Sequence, residues 1–335
     1  MKSLLLTDEC VIDLLKIDEV INAVESAFRE KALGRAQMPC KVYLFYDSGD
    51  LRVMPCYLGS LGVSSVKVVN SHPRNREKGL PTVMATIILI DPETGFPKAI
   101  MGGTWITAMR TGAAGAIAAK YLARKDSRVA ALIGAGMQAR TQLMGLMQVM
   151  DSLQEIRVYD ISPKAEKGFL KFFEENYGDR CEVIVAGSAR EAVMDADIVV
   201  TTTPSRKPIV MDDWIGDGTH FNCMGADAPG KQELDPRILK RASKIVVDDV
   251  EQAVHGGEIN VPISMGLMRR EDIYAEIGEI VAGLKKGRES DDEITVFTST
   301  GLAIQDAAAA SLAYEKAVEK GLGLYIDLIS EQLKG

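Results

Sequence analysis

The chain has 335 residues, of which 47% are hydrophobic and 26% charged, and its formal net charge is −8. This composition is typical of a folded globular protein with room for two domains, and the charge argues against nucleic acid or an anionic membrane as the main partner. The start of the sequence has too short an apolar run for a secretory signal, and the apolar run at 83–90 is too short to span a bilayer. Five scattered cysteines without a CxxC pair predict a reducing, cytoplasmic setting, and three histidines without a paired spacing predict no metal site.

The first third of the chain predicts helices followed by a β-rich region. Apolar residues recur at helical spacing before residue 34, which indicates an amphipathic helix. No alternation of strand and helix follows, so this region is expected to form a mixed α+β domain. Its predicted strands are 41–46, 51–58, 63–69, 82–90 and 97–101, with a polar loop at 70–79.

A helix rich in small residues, predicted at 110–122, is expected to link this region to a second domain. Strands and helices then alternate regularly, and the strands are continuous apolar runs, which predicts a doubly wound parallel sheet. The expected strands are 129–134, 156–160, 181–186, 198–202, 220–224, 245–248 and 295–298.

A second Ala-rich helix, 301–320, is expected to leave that sheet and pack on the first domain. The predicted fold class is therefore α/β, with a Rossmann-type parallel sheet and a second, mixed α+β domain. We place a nucleotide-binding Rossmann domain at 115–303. The substrate-binding and dimerisation domain is predicted to combine 1–114 with 304–335.

The turn after the first strand of this alternation carries the pattern G-x-G-x-x-A. Gly134 permits a tight strand-to-helix turn, Gly136 allows backbone to approach a pyrophosphate, and Ala139 takes the helix-packing position. Asp160 ends the next strand, near the offset expected for an acid that binds the adenosine ribose. Strand, helix and acid together predict a dinucleotide site, against the alternative of an unrelated tight turn.

Charged residues interrupt two apolar strands of the first domain. Lys67 lies in the run VKVV, where it is either an outward-facing edge lysine or a desolvated lysine that exchanges protons near neutral pH. Arg52 is either a solvated rim charge or a planar fork for a substrate carboxylate. Both alternatives stay open, because strands alternate their faces.

Two further residues lie where a ligand is expected. Arg110 begins the predicted small-residue helix, where an arginine and free helix N–H groups suit a phosphate or carboxylate, although surface arginines are common there. Asp227 follows a strand, which places it near the nicotinamide end of the crevice unless it is only a turn residue before Pro229. His220 lies within its strand and is predicted to be a core histidine, and His72 receives no role.

Taken together, long segments of the sequence resemble the ornithine cyclodeaminase/mu-crystallin family, and in particular its archaeal alanine dehydrogenase branch. The segments span nearly the whole chain: GDLRVMP, KVVNSHP, GLPTVMA, MRTGAAGAIAAKYLAR, IGAGMQA, TTTPSRKP, GADAPGKQELD, DDVEQAVHGGEIN and STGLAIQD. The resemblance implies NAD as cofactor and a homodimer formed through the non-Rossmann domain, which the small-residue helices would allow.

The resemblance also implies roles for individual residues. Lys67 would be the catalytic proton donor and acceptor, Asp227 its acidic partner at the imine carbon, and Arg110 a contact to the cofactor or the substrate carboxylate. Gln138 and Ala139 would hold the diphosphate and Asp160 the ribose. Further residues are expected to line the cofactor cleft, namely Thr111, Thr202, Thr203, Met224, Lys231 and Ser299.

One departure from the family pattern bears on the substrate. Where cyclodeaminases carry an acidic residue this chain has Arg52, and where they carry an arginine it has Lys41. An arginine would repel the distal ammonium of ornithine by a few kcal/mol at short range. It suits a small amino acid whose only other charged group is its carboxylate, which Arg52 and Lys41 would bind.

The function expected from the sequence is NAD-dependent oxidative deamination of L-alanine to pyruvate and ammonia, together with the reverse reaction, reductive amination. The alternatives are ornithine cyclodeamination or ketimine/imino-acid reduction with the same lysine and aspartate. A further alternative is a non-catalytic protein that holds NAD(P)H and a small ligand, as in the mu-crystallins. Asp160 favours NAD over NADP, because a carboxylate repels a 2′-phosphate.

Overall fold

The computed structural model describes residues 1–330 and Leu333. No helix among these residues is both long and apolar enough to cross a membrane. The chain forms two compact units. Unit 1 comprises Met1–Arg110 and the chain from Leu302 onward, and unit 2 comprises Thr111–Gly301.

The first elements of the chain build most of unit 1, and the last of them, a helix, continues past Arg110 into unit 2. In order they are β1 (Ser3–Leu6), α1 (Asp8–Leu14), α2 (Ile17–Ala32), β2 (Ala36–Gln37), β3 (Val42–Tyr46), β4 (Gly49–Leu58), β5 (Val63–Ser71), β6 (Val83–Ile90), β7 (Pro97–Gly102) and α3 (Thr104–Leu122). The expected loop at 70–79 is only partly correct, because β5 continues to Ser71 and a 3₁₀ turn occupies Pro73–Lys78.

The strand–helix alternation of unit 2 follows. Its elements are β8 (Val129–Ile133), α4 (Met137–Val149), β9 (Glu155–Tyr159), α5 (Pro163–Tyr177), β10 (Glu182–Val185), α6 (Ala189–Val193), β11 (Ile198–Thr201), β12 (Arg206–Val210), β13 (His220–Cys223), β14 (Gln232–Leu234), α7 (Pro236–Arg241), β15 (Lys244–Val247), α8 (Val250–Gly256), α9 (Asn260–Ser264), β16 (Ala275–Glu276), α10 (Ile277–Val281) and β17 (Thr295–Thr298). The chain then returns to unit 1 with α11 (Ala303–Lys320) and β18 (Leu324–Ile326).

The main sheet of unit 2 is parallel throughout its described pairs, in the order β10-β9-β8-β11-β13-β17-β15-β16. The strand order reverses between β8 and β11, which is the switch point where open α/β sheets bind ligands. Alternate residues of β8 face two separate apolar cores, one containing Ala131 and Ile133 and the other Ala130 and Leu132. The predicted Rossmann-type fold class is confirmed.

The sheet of unit 1 is mixed, in the order β18-β1-β7-β6-β5-β4-β2, with β3 also paired to β4. β4, β5 and β6 form an antiparallel series, and Met54 of β4 lies opposite Lys67 of β5. Helix α11 packs on α2, β4 and β5. Its small residues Ala307–Ala310 are buried, because a helix without large side chains can approach a sheet closely.

Candidate functional site

Lys67 is buried in unit 1. Every second residue of β5 from Val63 to Val69 is buried, and Lys67 falls on that face with 1% of its surface exposed. The alternative that Lys67 is an outward-facing edge lysine is therefore wrong. A buried lysine needs charged or polar partners, because an ammonium that leaves water without them is very costly.

Asp306 of α11 supplies that partner and connects Lys67 to Arg110. The Nζ of Lys67 lies 2.6 Å from Oδ2 of Asp306 and donates to Oγ1 of Thr107 at 3.5 Å. The other carboxylate oxygen of Asp306 accepts from Nε of Arg110 at 3.0 Å, and Nη1 of Arg110 donates to Oε1 of Gln305 at 2.8 Å. The lysine, the arginine and the aspartate form one buried ionic cluster.

This environment brings the pKa of Lys67 into the range of physiological pH. Burial, followed by the positive charge of Arg110, lowers the pKa of Lys67 from 10.5 to about 7. Lys41 lowers the pKa further, whereas Asp306 opposes these effects by attraction and a hydrogen bond. A lysine with such a pKa can both accept and donate a proton near neutrality, which is the property required of an acid–base catalyst.

Asp306 is absent from the residues predicted by sequence reasoning. A detectable signal exists, because Gln305 and Asp306 are the two polar residues in an otherwise apolar turn of an Ala-rich helix. A carboxylate there is more costly to bury than an alanine unless a cation meets it. The partner could not be identified from spacing, since Lys67 and Asp306 are separated by most of the chain.

The prediction that Arg110 begins a helix is wrong. Helix α3 begins at Thr104, so Arg110 lies inside it, where its N–H belongs to the helical ladder rather than to a free terminus. Its side chain reaches Asp306 and Gln305 instead. Any contact of Arg110 with a ligand would therefore use the guanidinium alone.

Arg52 is also buried and ionically paired. Its Nε and Nη2 donate to the two carboxylate oxygens of Asp50 at 2.9 and 3.0 Å, and its guanidinium lies 5.5 Å from the centre of the Tyr43 ring. The alternative of a solvated rim charge is wrong. The bidentate pair holds the guanidinium plane in a fixed direction.

In unit 2, the glycine-rich turn has the geometry that its sequence predicts. Gly134 adopts a φ of +105°, and a Cβ there would lie 2.5 Å from Oγ1 of Thr202. Gly136 precedes α4 without a side-chain cap, and a Cβ on it would meet nothing within 4 Å. The open space at Gly136 and the uncapped first turn of α4 fit a pyrophosphate.

Asp160 follows β9 and faces this turn. Its Oδ2 accepts from the N–H of Ala135 at 2.8 Å, and its Oδ1 accepts from the N–H of Ser162 at 2.8 Å. Gln138 lies in the first turn of α4, and the buried Ala139 allows that helix to pack on the sheet. These residues come together at the switch point of the parallel sheet.

The remaining predicted residues of unit 2 lie in three loops at the carboxyl ends of its strands and at one helix. Thr202 and Thr203 follow β11. Asp227 and Lys231 lie after β13 and form an ion pair with 2.5 Å between Oδ1 and Nζ. Other predicted residues have the following placements: Met224 follows β13, Ser299 follows β17 and donates to Asp248 Oδ2 at 2.9 Å, and Thr111 in α3 accepts through its carbonyl from Gln142 at 2.7 Å.

His220 is a core residue, as predicted. It is buried, and its ring nitrogens lie 2.9 Å from Thr295 Oγ1 and 3.1 Å from Asn222 Oδ1. Burial lowers the pKa of His220 to about 3. The imidazole is therefore neutral at physiological pH and has a structural role.

Comparison with known proteins identifies the family of this chain. The sequence profile of the ornithine cyclodeaminase/mu-crystallin family matches residues 1–321. The chain belongs to this family. The resemblance inferred from the sequence is thus confirmed.

Three family members are especially similar to this chain. An alanine dehydrogenase of Archaeoglobus fulgidus is 56% identical over 96% of this chain and 98% of its own length. A solved structure of an archaeal alanine dehydrogenase dimer with bound NAD has a TM-score of 0.93 at 56% identity and covers 98% of this chain and 100% of its own. The Delta(1)-pyrroline-2-carboxylate reductase of Thermococcus litoralis, solved with NADH and L-proline, has a TM-score of 0.92 at 44% identity and covers 96% of this chain and 100% of its own.

Proposed function

We propose that this protein catalyses the NAD-dependent oxidative deamination of L-alanine to pyruvate and ammonia, and the reverse reductive amination. At the coarser level it is an NAD-dependent oxidoreductase of amino acids. The observation that carries the proposal is Lys67, a buried lysine with a pKa of about 7 that is held between Asp306 and Arg110. The alanine dehydrogenase relatives at 56% identity support alanine as the substrate.

The residues of unit 2 would hold the cofactor. Gly134, Gly136, Gln138 and Ala139 would bind the pyrophosphate and Asp160 the adenosine ribose, because these groups surround the glycine turn. NAD, when bound, accepts a hydride from the substrate carbon. Further contacts in the cleft are proposed for Arg110, Thr111, Thr202, Thr203, Met224, Lys231 and Ser299.

Lys67 would move the protons of the reaction. Its neutral form can take a proton from the water that attacks the imine of the oxidised substrate, and its protonated form can return it in the reverse direction. Asp227 is proposed to stabilise the cationic imine and to assist these proton transfers. Asp227 is paired with Lys231, so its carboxylate already has a cation within 2.5 Å before any ligand is considered.

The substrate carboxylate would be bound by the cationic side chains of unit 1. Arg52 is proposed as the main contact, with Lys41 and Arg110 contributing charge. Asp50 fixes the direction of the Arg52 guanidinium through two hydrogen bonds, which lowers the cost of ordering it around a ligand. A small amino acid with a single carboxylate fits this excess of positive charge better than a diamino acid.

A second candidate is the reduction of a cyclic imino acid. Delta(1)-pyrroline-2-carboxylate, like the imine of alanine, has one nitrogen and one carboxylate, so the Arg52 guanidinium oriented by Asp50 could bind it in the same way. The Thermococcus litoralis reductase, at 44% identity, was solved with L-proline. The same lysine would then protonate the ring nitrogen during hydride transfer.

A substrate panel separates these candidates. We expect NADH oxidation with pyruvate and ammonia to exceed the rate with Delta(1)-pyrroline-2-carboxylate, and other small 2-oxo acids, glyoxylate included, to react more slowly than pyruvate. A higher catalytic efficiency with the imino acid would select the reductase. Ornithine that gives proline without net NADH accumulation would select a cyclodeaminase, and NADH binding without turnover across the panel would select a mu-crystallin-type binding protein.

We propose a homodimer formed through unit 1. The small-residue faces of α3 and α11 are already buried within the chain, so they do not provide the contact surface. Edge strand β3 instead exposes apolar side chains on both faces: Val42 and Leu44, by 58% and 54%, on one, and Phe45, by 73%, on the other. A patch of this kind marks a protein contact. Light scattering on Phe45→Lys should show a larger monomer fraction, and an unchanged dimer would exclude β3.

We also propose that the protein works in a reducing, cytoplasmic compartment. All five cysteines are free thiols in the structure. This usage fits a cytoplasmic protein, whose thiols stay reduced.

A further inference from the structure

A buried glutamate connects two of the loops proposed to line the cofactor cleft. Glu233 of β14 is fully buried, and none of the proposed chemical steps uses it. Its Oε1 accepts from the N–H of Thr203 at 2.6 Å. Its Oε2 accepts from Oγ1 of Thr201 at 2.8 Å and from the N–H of Gly225 at 2.9 Å.

These contacts join the loop after β11 to the loop after β13. The two loops approach so closely that a Cβ on Gly225 would lie 2.1 Å from the carbonyl oxygen of Thr203 and 2.5 Å from Oε2 of Glu233. Only glycine fits there. Asp227 lies two residues beyond Gly225, so the position of its backbone depends on this junction.

A second buried glutamate holds the first in place. Glu258 precedes α9, and its Oε1 accepts from the N–H of Glu233 at 2.9 Å and from the N–H of Leu234 at 2.7 Å. The Glu233 N–H also lies 3.1 Å from Oε2 of Glu258, so two backbone donors in all face this carboxyl group. Its own N–H donates to Oγ1 of Thr298 at 2.9 Å. Glu258 therefore fixes the backbone of β14, from which the Glu233 side chain extends.

We propose that Glu233 is a positioning residue of the cofactor cleft, which fixes Thr203 and Gly225 against each other, and that Glu258 is a neutral support that positions Glu233. This inference rests on the proposed function, because it concerns loops that would hold NAD and Asp227. The assignment of charge follows from the donors. Glu233 receives three at its two oxygens and so gains most from a full negative charge, whereas the two backbone donors to Glu258 can both be met by Oε1.

The pKa shifts of the two glutamates agree with this assignment of charge. Burial raises the pKa of both carboxyl groups, and the negative charge of Glu233 raises the pKa of Glu258 well above its ordinary value. Two like charges in one apolar site are costly, so one of the pair keeps its proton. Glu258, with fewer donors, is that member.

The two isosteric amide variants test this assignment because they should differ. Glu233→Gln turns an acceptor into an NH₂ group that faces a backbone N–H, and we expect NADH binding about tenfold weaker and kcat lower by a similar factor. Glu258→Gln replaces a neutral carboxyl by a neutral amide. Oε1 still accepts from the N–H groups of Glu233 and Leu234, and the NH₂ group takes the place of an oxygen that, in the proposal, already carries a proton. We expect it to bind NADH within about twofold of the wild type.

The measurements are NADH titration by fluorescence, steady-state kinetics with separate kcat and KM, and hydrogen exchange of the Thr203 and Gly225 amides. Asp197→Asn is the matched control, since Asp197 also accepts from backbone N–H groups, those of Arg128 and Val129, at the opposite strand ends of the sheet. It should lower the melting temperature without weakening NADH binding. If Glu233→Gln does not fold, Thr201→Val removes a single donor and should still accelerate exchange at Thr203 and Gly225.

Two outcomes overturn the inference. Folded Glu233→Gln with wild-type NADH affinity, kcat and amide exchange would remove the positioning role. Glu258→Gln that is as damaging as Glu233→Gln would remove the division of charge. Failure of the proposed function is a separate result, in which the wild type neither binds NADH nor turns over while amide exchange still reports on the junction.

Discussion

The two units solve the problem of buried charge in different ways. In unit 1, Asp306 pairs with both Lys67 and Arg110 through side chains alone, at 2.6 and 3.0 Å. In unit 2, buried acids accept mainly from the backbone: Asp248 holds the N–H groups of Thr300 and Gly301, and Glu233 holds those of Thr203 and Gly225.

The difference indicates separate roles for the buried charges of the two units. A side-chain cluster with a lysine near its titration point can change protonation during a reaction. A carboxylate that accepts several backbone N–H groups fixes loops and cannot give up its charge without loosening them. In the proposed function, the Lys67 cluster of unit 1 would supply proton chemistry and the buried acids of unit 2 would fix loops, so variants of these two sets of residues should fail in different ways.

The largest effect is expected from Lys67→Ala. Loss of the acid–base group should lower kcat by about 10²–10⁴-fold. NADH affinity should be unchanged, because Lys67 is not among the residues proposed to contact the cofactor. Rates of NADH oxidation with pyruvate and ammonia, together with NADH titration by fluorescence, measure both quantities. Lys98→Ala, on β7 of the same sheet, is the matched control, and turnover retained in Lys67→Ala would remove Lys67 from the chemistry.

Gly134→Ala is expected to show the opposite pattern: a loss of NADH affinity with a smaller change in kcat. The methyl group would meet Thr202 at 2.5 Å on a backbone with φ of +105°. Such strain costs about 1–3 kcal/mol, and the turn can relieve it only by moving where the pyrophosphate is proposed to bind. We expect NADH affinity to fall by about tenfold or more, with a smaller change in kcat at saturating NADH.

The control for backbone strain at Gly134 is Gly62→Ala. Gly62 has a φ of +58°, but a Cβ there would meet nothing within 4 Å, and its turn lies in unit 1. That variant should lose stability without losing NADH affinity. Equal NADH affinities in Gly134→Ala and wild type would contradict the proposed pyrophosphate site.

A subtler comparison uses the pH profile of alanine oxidation. In the proposed reaction Lys67 acts as a base in its neutral form, so kcat/KM should rise with pH through the pKa of about 7. Asp306 raises that pKa and Arg110 lowers it. The rising limb should thus move to lower pH in Asp306→Asn and to higher pH in Arg110→Met. Shifts in the same direction would show that the cluster does not tune the lysine.

The smallest effect is expected at Asp160. A carboxylate at the proposed ribose site disfavours the 2′-phosphate of NADP, and Asp160→Asn should reduce the preference for NADH over NADPH by about tenfold, or about 1.4 kcal/mol. Because Asp160 also accepts from Ala135 and Ser162, some loss of NADH affinity should accompany the change. Comparable catalytic efficiency of the wild type with both cofactors would show that this acid does not select NAD.

The sequence predicted what depends on local patterns. The parallel strands of unit 2 are continuous apolar runs, and the turn at Gly134 needs a residue that tolerates positive φ, so both could be identified directly. Strands β1, β2, β12, β14, β16 and β18 were not predicted. They have only 2–5 residues each and, unlike the equally short β8 and β11, they are not apolar runs within a regular strand–helix alternation.

The partners of the charged residues could not be predicted in the same way. Lys67 stands out in its strand, but Asp306 becomes its partner only when α11 packs on β4 and β5. Arg52 stands out too, and its partner Asp50 lies two residues away on the same face of β4, so strand alternation alone brings the two together. Its contact with the Tyr43 ring, by contrast, requires the register of the β3–β4 hairpin. Glu233 and Glu258 lie in segments that resemble ordinary loops, and only tertiary structure shows that they are buried.

The most direct test is the titration of Lys67 itself. NMR of protein labelled at the lysine side chains, compared with Lys67→Ala to assign the resonance, measures the pKa without any substrate. A lysine with a midpoint of about 7 that disappears in the variant is the predicted result. If the Lys67 resonance titrates near the ordinary value of 10.5, the lysine is not the neutral base on which the proposed reaction depends.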